Sequence, residues 1–259
     1  KLSIDEMETA VYETIERNRS AFSDDDEHRV LIDVTRGLLS LYHGIEGTEP
    51  GPNVVIADFP LRWTVQGCSK LYDTGINLKI PYQRAIPSHL MEPKIKNRSR
   101  LFYLMANIEV SMFKGENNWA LLIDPDGFIT EGTGDNFFIV KNNTIITPEP
   151  RNILRGISRE YIFNLAKELG LEYIEKNIDA FDVVTADEAF MTGTPFCMLP
   201  VTKLNGLNIG KGERGPIFNK LLLKWSENVD VNIESQIKTW SSQIKLSKAN
   251  TATPYKFQS

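Results

Sequence analysis

Met7, Val11, Thr14 and Ile15 fall at helical spacing, and the run opens on Ser3-Ile4-Asp5-Glu6. That opening is a capping box, in which the serine and glutamate side chains satisfy free backbone N–H groups. The stretch 29–35 (RVLIDVT) is rich in β-branched residues and predicts a strand. A Gly/Pro-rich loop, GIEGTEPGPN, leads to a second strand, VVIADF. A long irregular stretch follows. Its segment IPSHLMEPK, with Pro87 and Pro93, is the best domain boundary. The expected organisation is a smaller N-terminal domain over residues 1–90 and a larger one over 91–259.

The second half alternates more cleanly. Leu101, Leu104, Met105, Ile108 and Met112 predict a helix over residues 98–114, with Gly115 as its stop. WALLID, DPDG and FIT read as strand, turn and strand; FFIV, KNNT and TIIT make a second hairpin. Gly156 opens a helix, ISREYIFNLAKEL, that stops at Gly170. EYIEKNI and EAFMTG are further strands, Asn205-Gly206 signals a turn, and GPIFNKLLLKW is a last helix before a polar tail from Lys245. Helices and strands mix without strict βαβ repetition, so the fold class is α+β rather than a doubly wound sheet.

Composition narrows the function classes. The formal charge is -5 and the cations are scattered, which gives no footprint for nucleic acid or an anionic membrane. No apolar run has the roughly 20 residues that span a bilayer, and no signal-peptide pattern opens the chain. Cys68 and Cys197 lie far apart, which fits a reducing, cytoplasmic setting. The three histidines, His28, His43 and His89, lack metal-ligand spacing, so no metal is expected and a Ser-His-Asp hydrolase is disfavoured.

Four segments carry chemistry: PKIKNRSRLFYLMANIE around Lys96, ITEGTGDN at 129–136, LRGISR at 154–159 and FMTGTP at 190–195. Taken singly, each reads as a solvated lysine, a turn, a helix cap and a strand end. In this order, with ITP, KELG, ADEAFMTGT and the closing GERGP, they resemble the class IV aminotransferases. That family includes branched-chain and D-amino-acid aminotransferases and aminodeoxychorismate lyase. The likeness is continuous from about Pro93 to Pro216. Before that it is looser, resting on VTRG at 34–37.

The resemblance implies a two-domain fold-type IV enzyme, D-amino-acid-aminotransferase-like, that uses pyridoxal 5'-phosphate. Lys96 would form the Schiff base and move the proton. Glu131 would face the pyridine nitrogen. Ile157, Ser158 and Thr194 would hold the phosphate. It further implies a homodimer, a small-molecule amino donor and a keto-acid acceptor. The alternatives are a lyase of the aminodeoxychorismate type and a non-catalytic protein that binds the cofactor. The chemistry suits these residue types: a lysine amine forms and exchanges an imine with an aldehyde, and a carboxylate keeps the ring nitrogen protonated. A helix N-terminus presents free N–H groups to a phosphate.

Three departures bear on the substrate. The family's segment that supplies a phosphate-clamping arginine has no counterpart ahead of residue 1, which reads as a missing N-terminal segment. D-amino-acid enzymes hold the substrate carboxylate with an Arg-x-His trap; here His43 aligns, but Leu41 stands for the arginine. Branched-chain enzymes use backbone N–H groups after Gly-Thr, where Pro195 has none. His43 and Pro195 are therefore the candidate substrate-side residues. Unless another cation takes the carboxylate, neither D-alanine nor leucine is expected as the preferred donor; the donor is then either an amine lacking an α-carboxylate or an amino acid gripped by a rearranged arginine. Arg36, Arg98 and Arg100 are the cations available. Leu101 stands where branched-chain enzymes have a tyrosine toward the cofactor's O3′, with Tyr103 as a substitute.

Overall fold

A computed structural model describes residues 3–38, 40–42, 44–46 and 51–243 of the chain. His43 and the tail from Lys245 lie outside the described residues. Contacts divide the chain into two units, Lys1–Val65 and Gln66–Ser259.

The first unit begins with helix α1 (Ile4–Asn18). Ser3 Oγ accepts from the Glu6 N–H at 3.2 Å while Ser3 N–H donates to Glu6 Oε2 at 2.7 Å, so the capping box forms in full. Strands β1 (His28–Thr35) and β2 (Asn53–Pro60) pair antiparallel from His28↔Pro60 to Thr35↔Asn53. The one-turn helix α2 (Arg62–Val65) ends the unit.

The second unit is built on one mixed sheet. After the short helix α3 (Leu71–Thr74) come β3 (Ile76–Lys79), helix α4 (Leu101–Ser111), β4 (Asn118–Ile123), β5 (Ile129–Gly132), β6 (Asn136–Lys141) and β7 (Thr144–Thr147). Helix α5 (Ile157–Glu168), β8 (Tyr173–Glu175), the short α6 (Ala180–Val184), β9 (Glu188–Gly193), β10 (Cys197–Leu204) and β11 (Leu207–Asn208) follow. Helices α7 (Pro216–Asn228) and α8 (Ile233–Gln243) close it. The strand order is β5-β4-β3-β10-β9-β6-β7-β8, with β11 on β10. Parallel pairs (β3 with β4 and β10, β7 with β8) sit among antiparallel ones, as an α+β fold allows.

The turns follow their residues. Asn142 and Asn143, with φ of 51° and 60°, join β6 to β7, and Asn205-Gly206, at 52° and 89°, join β10 to β11. Positive φ at both central positions is what a tight hairpin needs, and Asn and Gly tolerate it. Phe138 on β6 lies opposite Phe190 on β9, their rings stacked 4.8 Å apart at 8°. Both are fully buried, and each contributes about 1.5–3 kcal/mol through removal from water. Phe163 of α5 and Phe218 of α7 meet this pair edge-on. Glu188, buried at the start of β9, accepts from the Ile217 and Phe218 N–H groups at 2.9 Å each and so caps α7. A Cβ at Gly215 would lie 2.0 Å from the Glu188 carboxyl carbon, which ties the Glu of ADEAF to the second glycine of GERGP.

Several elements differ from expectation. Strand β3 lies between β4 and β10, inside the stretch read as irregular, and joins residues 76–79 to the larger unit's sheet. The contact boundary between Val65 and Gln66 thus falls before the proline-marked segment. Helix α4 starts at Leu101 rather than 98, because Asn97 Oδ1 accepts from Ser99 N–H at 2.7 Å and holds that backbone in a turn. Strand β8 stops at Glu175, where its partner β7 ends at Thr147. Strand β10 and helix α8 add to the expected elements. No helix among the described residues is long and apolar enough to cross a membrane.

Candidate active site

A cleft of about 920 Å³, counting space open to solvent, is lined by Lys96, Glu131, Ile157, Ser158 and Thr194 together with Arg100, Tyr103, Asp135 and Asn136. Every one of these belongs to the Gln66–Ser259 unit. Pro195, half-buried in the β9–β10 turn beside Thr194, does not line it.

Lys96 is an exposed residue of the loop before α4. The two lysines of the Lys-Ile-Lys run differ in partners. The Lys94 amine pairs with Glu92 at 2.9 Å, whereas Lys96 makes no ion pair among the described residues. Partial desolvation and then the nearby Arg100 charge hold the Lys96 amine below its ordinary pKa, against an upward pull from Glu131 and with a further downward push from Arg98. A lowered pKa leaves more of the amine neutral, the form that attacks an aldehyde or takes a proton.

Glu131 sits at the end of β5, whose four residues are all buried. Its carboxylate accepts from the Tyr103 hydroxyl at 3.0 Å, Asn136 Nδ2 at 2.9 Å and the Leu154 N–H at 3.1 Å. Asn136 Nδ2 also donates to the Leu154 carbonyl at 2.8 Å, locking strand β6 to the loop before α5. Burial pushes the Glu131 carboxyl up to about 8; the Leu154 and Tyr103 hydrogen bonds pull it down, the Asp135 charge pushes it up and Lys96 draws it down. A carboxyl with that affinity for a proton would share one with a basic ring nitrogen set against it.

The glycines of the motifs are there for space. A Cβ on Gly132 would lie 1.8 Å from Asp135 Oδ1, and one on Gly156 would lie 2.2 Å from Asn136 Oδ1. Gly132 N–H donates to the Asp135 carbonyl at 2.9 Å, closing the turn that carries TEGTGDN. Asp135 Oδ1 is buried without a hydrogen-bond partner among the described residues, and burial pushes the carboxyl up to about 7 against the pull of Arg100.

Gly156 precedes helix α5 as its N-cap and offers no side-chain cap, and the first intrahelical bond on this turn is Glu160 N–H to Gly156 O at 3.0 Å. The N–H groups of its first turn are thus open to the cleft, beside the buried Ser158 and the exposed Thr194. Arg159 is committed elsewhere: it donates to the Pro148 carbonyl at 3.1 Å and pairs with Glu175. An unpaired amine, a proton-hungry buried carboxyl and an open helix N-terminus on one cleft fit the aldehyde, ring nitrogen and phosphate of pyridoxal phosphate.

Tyr103, Asn136 and the Leu154 backbone are the residues that sequence reasoning did not tie to Glu131. The sequence offers Tyr103 for the cofactor's O3′; its hydroxyl donates to Glu131. Leu101 is 67% exposed. A tyrosine two residues into a helix carries no mark of its partner in the sequence.

A sequence model of the family described as "Amino-transferase class IV" matches residues 1–204. A putative branched-chain-amino-acid aminotransferase of Methanocaldococcus jannaschii is 34% identical over 230 residues, 87% of this chain and 74% of that protein. The branched-chain-amino-acid aminotransferase of Pseudomonas aeruginosa is 40% identical over 126 residues, 49% of this chain and 41% of that protein. Among solved structures, the branched-chain enzyme of Escherichia coli aligns with a TM-score of 0.68 at 27% identity, over 85% of this chain and 69% of that one. The branched-chain enzyme of Thermobaculum terrenum, in its PLP-bound holo-form, shares the fold with a TM-score of 0.72 at 24% identity, over 92% of this chain and 74% of that one. With the family model covering most of its length and site residues converging on one cleft, the chain belongs to the class IV aminotransferases.

Proposed function

We propose that the protein transfers the amino group of an α-amino acid with an aliphatic side chain to a 2-oxo acid, using pyridoxal phosphate. The observation that carries this reading is the unpaired Lys96 amine on the same cleft as Glu131 and the open α5 N-terminus. The apolar wall formed by Ile86, Met91, Ile95, Phe102 and Leu122 supports an aliphatic donor, as do the names of the relatives.

When bound, the cofactor supplies an aldehyde for the amino group and a ring that withdraws electrons. Lys96 would hold that aldehyde and, once released, carry the proton from the substrate's Cα. Its lowered pKa suits an amine that must be neutral to accept a proton. Glu131, fixed by Tyr103, Asn136 and Leu154, would hold a proton at the ring nitrogen. The N–H groups of Ile157 and Ser158, the Ser158 hydroxyl and the Thr194 side chain would take the phosphate. On the resemblance, His43 and the turn at Pro195 would face the substrate.

On the resemblance we also propose a homodimer, a smaller N-terminal domain ahead of the cofactor-binding one, and a cytoplasmic location. The free Cys68 and Cys197 fit a reducing compartment. The deciding experiment is a single-turnover panel on the cofactor-loaded protein with L-leucine, L-glutamate, D-alanine and (R)-1-phenylethylamine. Conversion of the cofactor's absorption by an aliphatic amino acid, with matching 2-oxo acid, is expected. No conversion by any amino donor, or pyruvate released from aminodeoxychorismate without an acceptor, would contradict transamination.

A further inference from the structure

The cleft holds a cation that none of the steps above uses. Arg100, the residue before α4, is half-buried, lines the cleft and makes no ion pair among the described residues. Among the described residues its side chain makes one hydrogen bond, from Nη2 to the Thr133 carbonyl. Its guanidinium carbon lies 4.7 Å from the centre of the Tyr103 ring, a face-on cation–π support. A guanidinium has five N–H donors in a planar fork. With one used and the group held over the tyrosine ring, the rest remain for a ligand. Asp135 does not pair with this cation; the Arg100 charge pulls the Asp135 carboxyl down against the larger upward push of burial.

The β9–β10 turn is meanwhile short of donors. Pro195 has no N–H, and the Phe196 N–H is spent on the Gly193 carbonyl at 3.3 Å. A carboxylate brought to that turn finds neither of these two amides free.

We propose that Arg100 binds the α-carboxylate of the amino donor and of the 2-oxo acid, in place of the β9–β10 turn amides. The inference rests on the transaminase reading above and names its carboxylate site. The α-carboxylate is one bond from the carbon whose proton Lys96 moves. Arg100 and Lys96 line the same cleft, four residues apart on the loop that leads into α4. A fork-shaped donor matches a carboxylate in a two-bond geometry that an ammonium does not reproduce. Arg98, two residues before it on the loop, already has a partner. The Thr133 carbonyl and the Tyr103 ring hold Arg100 in place before substrate arrives, which limits the ordering cost of binding.

The test uses the cofactor-loaded protein and an unreactive pair, 4-methylpentanoate and its neutral amide, 4-methylpentanamide. Equilibrium binding is followed through the cofactor's absorption. The wild type is expected to bind the carboxylate at least tenfold more tightly than the amide. Arg100→Gln should lower carboxylate affinity tenfold to a hundredfold, the range of a lost charge-assisted contact, and leave amide affinity within about threefold. Arg100→Lys should recover part of the loss. Unchanged carboxylate affinity in Arg100→Gln overturns the proposal. If neither variant folds, the wild type alone decides: a carboxylate bound no more tightly than the amide also overturns it. Should leucine be converted by the wild type while Arg100→Gln binds carboxylate normally, the transaminase reading stands and this inference fails. Absence of turnover with every donor contradicts the reading itself.

Discussion

The Tyr103 hydroxyl donates to Glu131 Oε1 across 3.0 Å, fastening the first turn of α4 to the end of β5. The bond sets the direction of a carboxylate that burial alone would leave neutral. Tyr103→Phe removes one of the three donors on Glu131 and should raise its pKa further. Hydrogen bonds to a charged group contribute about 1.5–3 kcal/mol. The expected result is a roughly tenfold to hundredfold loss of turnover, with the acid limb of the pH–rate profile moved to higher pH. An unmoved limb would show that Tyr103 does not govern Glu131.

Gly156 makes room for the second donor. Its Cβ would lie 2.2 Å from Asn136 Oδ1, so Gly156→Ala must displace the side chain that bonds both Glu131 and the Leu154 carbonyl. Overpacking of this kind costs about 1–3 kcal/mol. Thermal unfolding should therefore fall by several degrees, and cofactor affinity should fall with it. Gly156→Ala with wild-type melting and wild-type cofactor affinity would mean that the Asn136 contact is slack.

Glu131 and Asp135 also make stability depend on pH. Their carboxyls are raised from 4.5 to about 8 and from 3.8 to about 7, so the folded state holds protons that the unfolded state gives up between those values. Their stabilising contribution is complete below the unfolded pKa and is lost as pH rises through the folded one. Each such proton changes stability by about 1.4 kcal/mol per pH unit inside the window. In the cofactor-free protein, the stability of wild type relative to Glu131→Gln should therefore decline between about pH 5 and pH 8, measured by urea unfolding. A difference that does not change with pH would contradict the raised pKa.

Much of this was legible in the chain because local chemistry decided it. Ser3 and Glu6 formed their cap, Asn142-Asn143 and Asn205-Gly206 made their turns, and Gly170 ended α5 with φ of 64°. The cleft residues were legible for a different reason: the motifs around Lys96, Glu131, Ser158 and Thr194 resemble a family. What escaped was set by tertiary contact. Strand β3 has only four residues, and its place between β4 and β10 depends on partners far along the chain. Helix α8 buries Ile233, Ile237 and Trp240 at helical spacing, a signal present in the sequence but short and flanked by polar residues. The Tyr103–Glu131 and Asn136–Leu154 bonds join segments that no local pattern connects. The departure at Pro195 and the unpaired cleft cation Arg100 are the two features behind the proposed carboxylate site.

The central claim is that Lys96, and not the nearby Lys94, carries the cofactor. Lys94 is engaged with Glu92, while the Lys96 amine is unpaired, has a lowered pKa and lines the cleft with Glu131. The most direct measurement is borohydride reduction of the cofactor-loaded protein, followed by peptide mass spectrometry. The account predicts a phosphopyridoxyl group on Lys96 alone, and no fixation or turnover in Lys96→Ala. A label on Lys94 or any other lysine, or turnover by Lys96→Ala, would contradict it.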